Sequence, residues 1–221
     1  MRMLAPHRLA LGVLRRLRRR WCPSRFDRIL AVHGWTHEGQ LRFLMDRVRQ
    51  APDGARIVEV GVWQGRSALA MAEACRGTGK RVFAVDPWQD YDEGGGDVST
   101  RLGRWGLASF DEVYERFRSN TAALGLEPWV ETVRAPSLDA ARDWRHGPIA
   151  TIFIDGSHDY DSVLRDLAAW TPLVGADGVV AGDDWNWDTV RRAVTDFVTR
   201  EGLPAPWSPC DNTWAFVKPA R

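Results

Sequence analysis

Three short segments of the chain put carboxylates and glycines where strands should end. The first, Glu59-Val-Gly61-Val-Trp-Gln-Gly65-Arg-Ser67, runs from an apolar stretch into a helix-forming one. Glycines let backbone approach a ligand closely at such a turn. Unpaired N–H groups at the helix start then face that ligand. The spacing is not G-x-G-x-x-G, which disfavours a nicotinamide dinucleotide, and Arg66 stands where a phosphate-cradling loop needs lysine. Glu59 suits a ligand ammonium. A purely structural glycine turn is the plain alternative. The second segment, Ala84-Val-Asp86-Pro-Trp88, places an acid at the end of the next strand. An acid there can accept hydrogen bonds from two ribose hydroxyls, or simply cap a turn. Glycine turn and acid together favour an adenosine-type ligand.

The third segment is Ile154-Asp155-Gly156-Ser157-His158, followed by the pair Asp183–Asp184. If two neighbouring parallel strands end at these acids, three carboxylates meet at one edge. They repel one another unless protons or a cation intervene. Hard divalent cations want oxygen ligands, so magnesium or manganese is expected. No thiolate or second histidine stands near in sequence to suggest zinc. Capping aspartates are the alternative. His158 is the histidine at this rim, placed to take a proton from an acceptor hydroxyl. Asp159 and Asp161 are rival bases, though either can cap the following helix.

The elements that must position these groups alternate. Leu41, Leu44, Met45 and Val48 mark one helix face, and Ala68, Leu69, Ala72 and Cys75 another. Val113, Phe117, Thr121 and Leu124 follow a Ser109–Glu112 capping box. Later stripes are Val163, Leu164, Leu167 and Trp170, then Val190, Val194, Phe197 and Val198. Between them run short β-rich stretches at 56–62, 81–86, 130–135, 151–155 and 178–184, and a last one at 213–219. This predicts an α/β domain with a mainly parallel sheet and helices on both faces. Segments 203–209 and 213–219, with no helix between, predict an antiparallel hairpin at the sheet edge. The glycine-bearing stretch 87–108 is long for a loop and reads as a lid or insert. Trp88, Tyr91 and Trp105 would exclude water there. Trp185 and Trp187 follow the acid pair and either line an acceptor pocket or pack at the edge.

Composition sets the outer limits. The formal net charge of the 221 residues is +1, but residues 1–28 hold nine arginines and one acid. The body is therefore mildly acidic and carries a cationic arm, which argues against nucleic acid as partner. The arm, residues 1–28, has leucines at 11, 14 and 17 among arginines. It reads first as a short helix packed on the body or on a second subunit, and second as a membrane-surface helix. No stretch approaches a transmembrane span. Three scattered cysteines give no disulfide framework, so a cytoplasmic setting is expected.

The segments IVEVGVWQGRSAL, VFAVDPW and FIDGSHDYDSVLRDLAAWTPLVGADGVVAGDDW resemble class I S-adenosylmethionine-dependent methyltransferases. They look most like the metal-dependent branch of macrocin-type and mycinamicin-type sugar O-methyltransferases, from about Gly34 to Val217. The resemblance implies a domain over 29–221 with a Rossmann-like, seven-stranded sheet whose last strand is antiparallel. It implies S-adenosyl-L-methionine as cofactor, with the methionine part at Glu59, Gly61 and Gly65 and Ser67 supporting the turn. Asp86 and Trp88 would lie at the ribose, Ser137 at the adenine, and Asp155 beside the donor. Asp155, Asp183 and Asp184 would hold Mg2+ or Mn2+, and His158 would be the catalytic base. The reaction implied is methyl transfer to a hydroxyl of a sugar or other small natural-product acceptor, in a homo-oligomer. The alternatives are a catechol-type or other small-molecule O-methyltransferase, or a donor-binding protein without methyl transfer. Catechol-type relatives carry asparagine where this chain has Asp184.

Overall fold

The structure is a computed structural model that describes residues 23–89 and 102–220. The arginine-rich stretch 1–22 and Tyr91, with most of the expected lid, lie outside the described residues. Six strands form one sheet: β1 (Arg56–Val60), β2 (Arg81–Val85), β3 (Val130–Val133), β4 (Ile149–Ile154), β5 (Val174–Gly182) and β6 (Trp214–Val217). Their spatial order is β3-β2-β1-β4-β5-β6. All neighbours pair in parallel except β5 and β6, which are antiparallel.

Among the described residues the expected count of seven strands is corrected to six. Segment 203–209 contributes only a two-residue bridge, Trp207 to Ala215, with a hydrogen bond of 2.9 Å in each direction. Pro204, Pro206 and Pro209 explain this, since a proline has no N–H to give a ladder. The hairpin shrinks to its one pair.

Among the described residues seven helices flank the sheet: α1 (Arg25–Leu30), α2 (Glu38–Gln50), α3 (Arg66–Cys75), α4 (Phe110–Leu124), α5 (Ser137–Arg142), α6 (Tyr160–Trp170) and α7 (Asp188–Arg200). Alternation along the strands sends Ile57, Val82 and Ala84 to one face and Val58, Phe83 and Val85 to the other. The first face packs under α1 to α4, the second under α5 to α7. Helix α1 begins inside the stretch assigned to the arm. Ser24 and Asp27 cap it reciprocally, Ile29 is buried, and Arg25 reaches Glu73 at 2.8 Å and the Leu124 carbonyl at 2.6 Å. The Ser109 hydroxyl accepts from the Glu112 N–H, but the Glu112 carboxylate bonds the Ala108 N–H instead of closing on Ser109.

The register does the positioning. Val60 pairs with Val85 on one side and Ile154 on the other, and Ile154 pairs with Gly182. Gly61, Asp86, Asp155 and Asp183 each follow that row by one residue. Four chemistry-bearing positions thus emerge side by side at the carboxyl edge. The chain order reverses between β1 and β4, the switch point where open α/β sheets bind ligands. Among the described residues no helix is long and apolar enough to cross a membrane.

Candidate functional site

The β1–α3 turn is built on two left-handed glycines, Gly61 (φ +84°) and Gly65 (φ +94°). A Cβ on Gly61 would meet the Asp155 carbonyl oxygen at 2.1 Å, so only glycine lets β1 end this close to β4. Gly65 caps α3 and leaves room for the Phe117 ring, which an added Cβ would meet at 2.6 Å. Trp63 between them is also left-handed (φ 54°), unusual for so bulky a residue. Three tethers hold it there. Its N–H donates to Asp86 Oδ2 at 3.0 Å, its carbonyl accepts the Trp88 indole at 2.9 Å, and its own indole donates to His33 Nδ1 at 3.0 Å.

Glu59 is fully buried. Ser67, in the first turn of α3, donates to its Oε1, while Oε2 is buried without a partner in the protein. Loss of water pushes the Glu59 carboxyl up to about 8; the Ser67 hydroxyl opposes this and the nearby Asp86 charge adds to it. An unsatisfied carboxylate oxygen beside a glycine turn is the chemistry that a ligand ammonium would complete.

Asp86 is more committed than the sequence implies. Oδ2 accepts the N–H groups of Val62 (2.9 Å) and Trp63, and Oδ1 accepts that of Trp88 (2.7 Å). A carboxylate has about four acceptor sites, so room for a ribose hydroxyl remains only at the margin of this tie. Burial raises the Asp86 carboxyl despite these bonds. Trp88 is 2% exposed and stacks on Phe117 with ring centroids 5.2 Å apart; it is core, under α4. The Ser137 hydroxyl is likewise engaged, donating to Asp166 at 2.5 Å and accepting from the Trp170 indole at 2.9 Å. Asp166, buried behind it, is pushed up to about 6 by desolvation.

The ends of β4 and β5 carry the acids. Asp155, Asp183 and Asp184 line a cavity of about 10 Å³, room for one water-sized sphere. Burial and the charges of Asp183, Asp184 and Glu59 hold the Asp155 carboxyl well above the usual range. Ligand atoms of Asp155, His158 and Asp184 all lie within 4.8 Å of one another. His158 Nε2 is 2.7 Å from Asp184 Oδ2, and the ring sits 5.0 Å from that of the exposed Trp187. Asp183 stands at the inner wall. Its Oδ1 accepts Gln40 Nε2 at 2.7 Å and the Asp184 N–H at 2.8 Å, and burial raises its carboxyl. Asp184 takes a left-handed backbone (φ 62°), and its Oδ1 accepts Asn212 Nδ2 at 3.2 Å. Asp159 caps α6, accepting the Ser162 N–H at 2.9 Å and the Ser157 hydroxyl at 2.6 Å. Those bonds hold it down to about 2, which makes it a weak base.

Four site residues escape a reading by motif. Gln40 is a buried polar residue on the apolar stripe of α2, a signal visible in sequence as a polar interruption. Asn212, Asp166 and His33 carry no local signal, because their partners are 28, 29 and 30 residues away.

A family described as "Methyltransferase domain" matches residues 58–185. The chain is 30% identical over 168 residues to the 8-demethyl-8-(2,3-dimethoxy-alpha-L-rhamnosyl)-tetracenomycin-C 4'-O-methyltransferase of Streptomyces olivaceus, covering 72% of this chain and 64% of that protein. The chain thus spans somewhat under two thirds of that relative's length. Its fold is similar to that of the O-methyltransferase NovP, with a TM-score of 0.62 and 22% identity over 82% of this chain and 80% of that one. It is similar too to the O-methyltransferase TomG from Streptomyces achromogenes, in complex with SAM, with a TM-score of 0.59 and 18% identity over 83% and 82%.

Proposed function

The chain belongs to the methyltransferase-domain family of class I S-adenosylmethionine-dependent methyltransferases, and on that premise we propose that it moves a methyl group from S-adenosylmethionine to a hydroxyl of a sugar or other small natural-product acceptor. The donor supplies an electrophilic methyl on a sulfonium. Glu59 Oε2, buried and unsatisfied, would receive the donor's ammonium, and the Gly61–Gly65 turn would carry its backbone N–H groups up to the methionine part. Asp86 holds that turn in shape and takes at most a share of the ribose. Trp88 and Ser137 act from behind the pocket, the one as packing under α4, the other through Asp166 and Trp170.

Asp155, Asp183 and Asp184 fit a divalent cation, magnesium or manganese, because three carboxylates face one small cavity and Asp155 is strongly biased against bare ionisation. When bound, the cation supplies positive charge that makes a neighbouring hydroxyl easier to deprotonate. His158, at the rim of that cluster, accepts the proton. Orientation of the hydroxyl against the methyl can contribute up to about 7–11 kcal/mol.

The observation that carries this reading is the small cavity that Asp155, Asp183 and Asp184 line together, with His158 within 4.8 Å of Asp155 and Asp184 and the Gly61 turn one peptide away. The purified chain, given labelled donor and an acceptor panel with and without EDTA, tests it. Donor-derived label should appear in a hydroxyl acceptor only when divalent metal is present. Transfer that survives exhaustive chelation would return the aspartates to a structural role.

A further inference from the structure

The loop between α1 and α2 packs a cluster of rings onto the glycine turn. His33 and Trp35 come from the loop, Trp63 from the turn and Trp105 from the stretch before α4. The Trp63 ring lies 5.4 Å from Trp35, 5.3 Å from Trp105 and 6.1 Å from His33, centroid to centroid. Arg66, the first residue of α3, fastens the loop. Its guanidinium donates to the Val32 carbonyl at 2.6 Å and the Thr36 carbonyl at 3.3 Å. A Cβ on Gly34 would lie 3.0 Å from Arg66 Cβ, so loop and helix start are pressed together. The loop thus presents His33 to Trp63 at a fixed place.

The bond between these two rings sets the charge of the imidazole. An indole N–H can only donate, so the 3.0 Å contact from Trp63 Nε1 needs a bare lone pair on His33 Nδ1. The ring is then neutral, with its one proton on Nε2. His33 is exposed, so solvent protons reach it. A second proton lands on Nδ1, on the lone pair that the indole uses. Two donors then face each other and the bond is lost. Arg66 on α3 repels such an imidazolium, and Arg104, 3.9 Å over the Trp105 ring, brings a second cation to the cluster. Asp86 lies at the backbone end of Trp63, where it accepts the N–H. Partial burial, then the Arg66 charge, hold His33 below the ordinary histidine range.

We propose that His33 is a positioning residue for the glycine turn: its neutral imidazole holds Trp63 in the shape that receives the donor, and protonation of Nδ1 releases it, so that donor affinity drops in acid. This rests on the methyl-transfer reading above, which puts the donor's methionine part at that turn. Trp63 is where such a hold matters. Its left-handed backbone (φ 54°) is costly for a bulky residue and persists only while its surroundings enforce it. The bonds to Asp86 and Trp88 act on its backbone, and the His33 bond acts on its side chain. Without that bond the turn must be ordered again as the donor arrives, at the expense of affinity. One neutral hydrogen bond corresponds to roughly a two- to tenfold change in binding.

Calorimetry with S-adenosylhomocysteine, on the full chain at pH 7.5 and at pH 5, tests this. Two substitutions separate the hydrogen bond from the ring. His33→Asn puts an amide oxygen near the place of Nδ1 and does not titrate. His33→Phe keeps a ring and has no acceptor. Between pH 7.5 and pH 5 the native chain should lose at least threefold in affinity relative to His33→Asn. Comparing the two proteins removes the share of Glu59 and of every other group that titrates in both, and lost ring contacts cost His33→Asn equally at both pH values. His33→Phe should bind at least threefold more weakly than the native chain at pH 7.5 and match it at pH 5. If the native-to-Asn ratio is the same at both pH values, or if His33→Phe binds like the native chain at pH 7.5, His33 is packing alone; the assignment is then overturned and the methyl-transfer reading stands. If the native chain does not bind S-adenosylhomocysteine at pH 7.5, both fall together.

Discussion

Gly61 and Asp155 approach so closely that no side chain fits between them: a Cβ on residue 61 would sit 2.1 Å from the Asp155 carbonyl oxygen. The glycine turn and the acid cluster are thereby held against each other as one rigid unit. Gly61→Ala combines a backbone clash with strain at φ +84°. Each effect costs roughly 1–3 kcal/mol, and a domain of this size loses about 2–4 °C per kcal/mol. A melting temperature lower by roughly 10 °C is expected. Thermal denaturation checks it, and an unchanged melting curve would mean that β1 and β4 can part at their ends.

Glu59 makes stability depend on pH. Burial pushes its folded carboxyl up to about 8, above the ordinary range near 4.5. The folded state therefore binds a proton that the unfolded state has already released. Stability falls as pH rises from about 4.5 towards 8, by on the order of a few kcal/mol in all. Glu59→Gln keeps an acceptor for Ser67 and removes the titration. Urea unfolding at pH 6 and pH 9, without donor, should show a drop in the native chain and almost none in the variant. The variant should also bind S-adenosylhomocysteine at least tenfold more weakly, because it cannot pair an ammonium.

How much of this was legible follows from distance along the chain. Local pattern carried the strands, the helix stripes and the two glycines, because a strand-to-helix turn is written in adjacent residues. The acids were legible as strand ends. Their relation to one another needed the register row Val60–Ile154–Gly182, which no local pattern holds. The same limit hid the fate of two side chains. Trp88 looks like a ligand-facing residue after Asp86, yet the left-handed turn at φ 46° folds it under α4. Ser137 looks free, yet α6 brings Asp166 and Trp170 to it. Prolines 204, 206 and 209 were visible all along, and they are what reduced the seventh strand to one bridge.

Asp86 should matter mainly through the turn. Three backbone N–H groups lose their acceptor in Asp86→Ala, each bond to a charged group being worth roughly 1.5–3 kcal/mol. The expected result is lower stability together with at least tenfold weaker binding of S-adenosylhomocysteine. Asp86→Asn keeps one side-chain carbonyl and should lie between. If calorimetry shows weaker binding with an unchanged melting temperature, Asp86 acts on the ligand directly and the turn needs no such anchor.

The acid cluster predicts a separation of metal from donor. Asp155→Ala and Asp183→Ala should abolish methyl transfer and weaken manganese binding, read by the loss of free-ion paramagnetic signal on titration. Affinity for S-adenosylhomocysteine should persist within a few fold. Gln40→Leu, which removes the 2.7 Å bond to Asp183, should raise the metal concentration needed for half-maximal activity without altering donor affinity. Full activity of Asp183→Ala at low metal would leave the pair Asp155–Asp184 with His158 as the working cluster.

His158 should be the proton acceptor. Its Nε2 already sits 2.7 Å from Asp184, so the ring is aimed at the cluster, with the Trp187 ring 5.0 Å away. His158→Ala should lower turnover by roughly 10²–10⁴-fold, the range for losing a positioned base, with S-adenosylhomocysteine affinity unchanged. His158→Gln should not restore turnover, because an amide matches part of the ring's shape but cannot take a proton. The sign of the pH effect follows from the chemistry. A histidine accepts a proton only when neutral, so the native rate should fall on the acid side, and the residual rate of His158→Ala should lack that fall. Asp159 is a poor substitute, held down to about 2 by the Ser157 and Ser162 bonds of the α6 cap. Near-native turnover in His158→Ala would move the base away from the β4 edge and leave the imidazole as a partner of Asp184 alone.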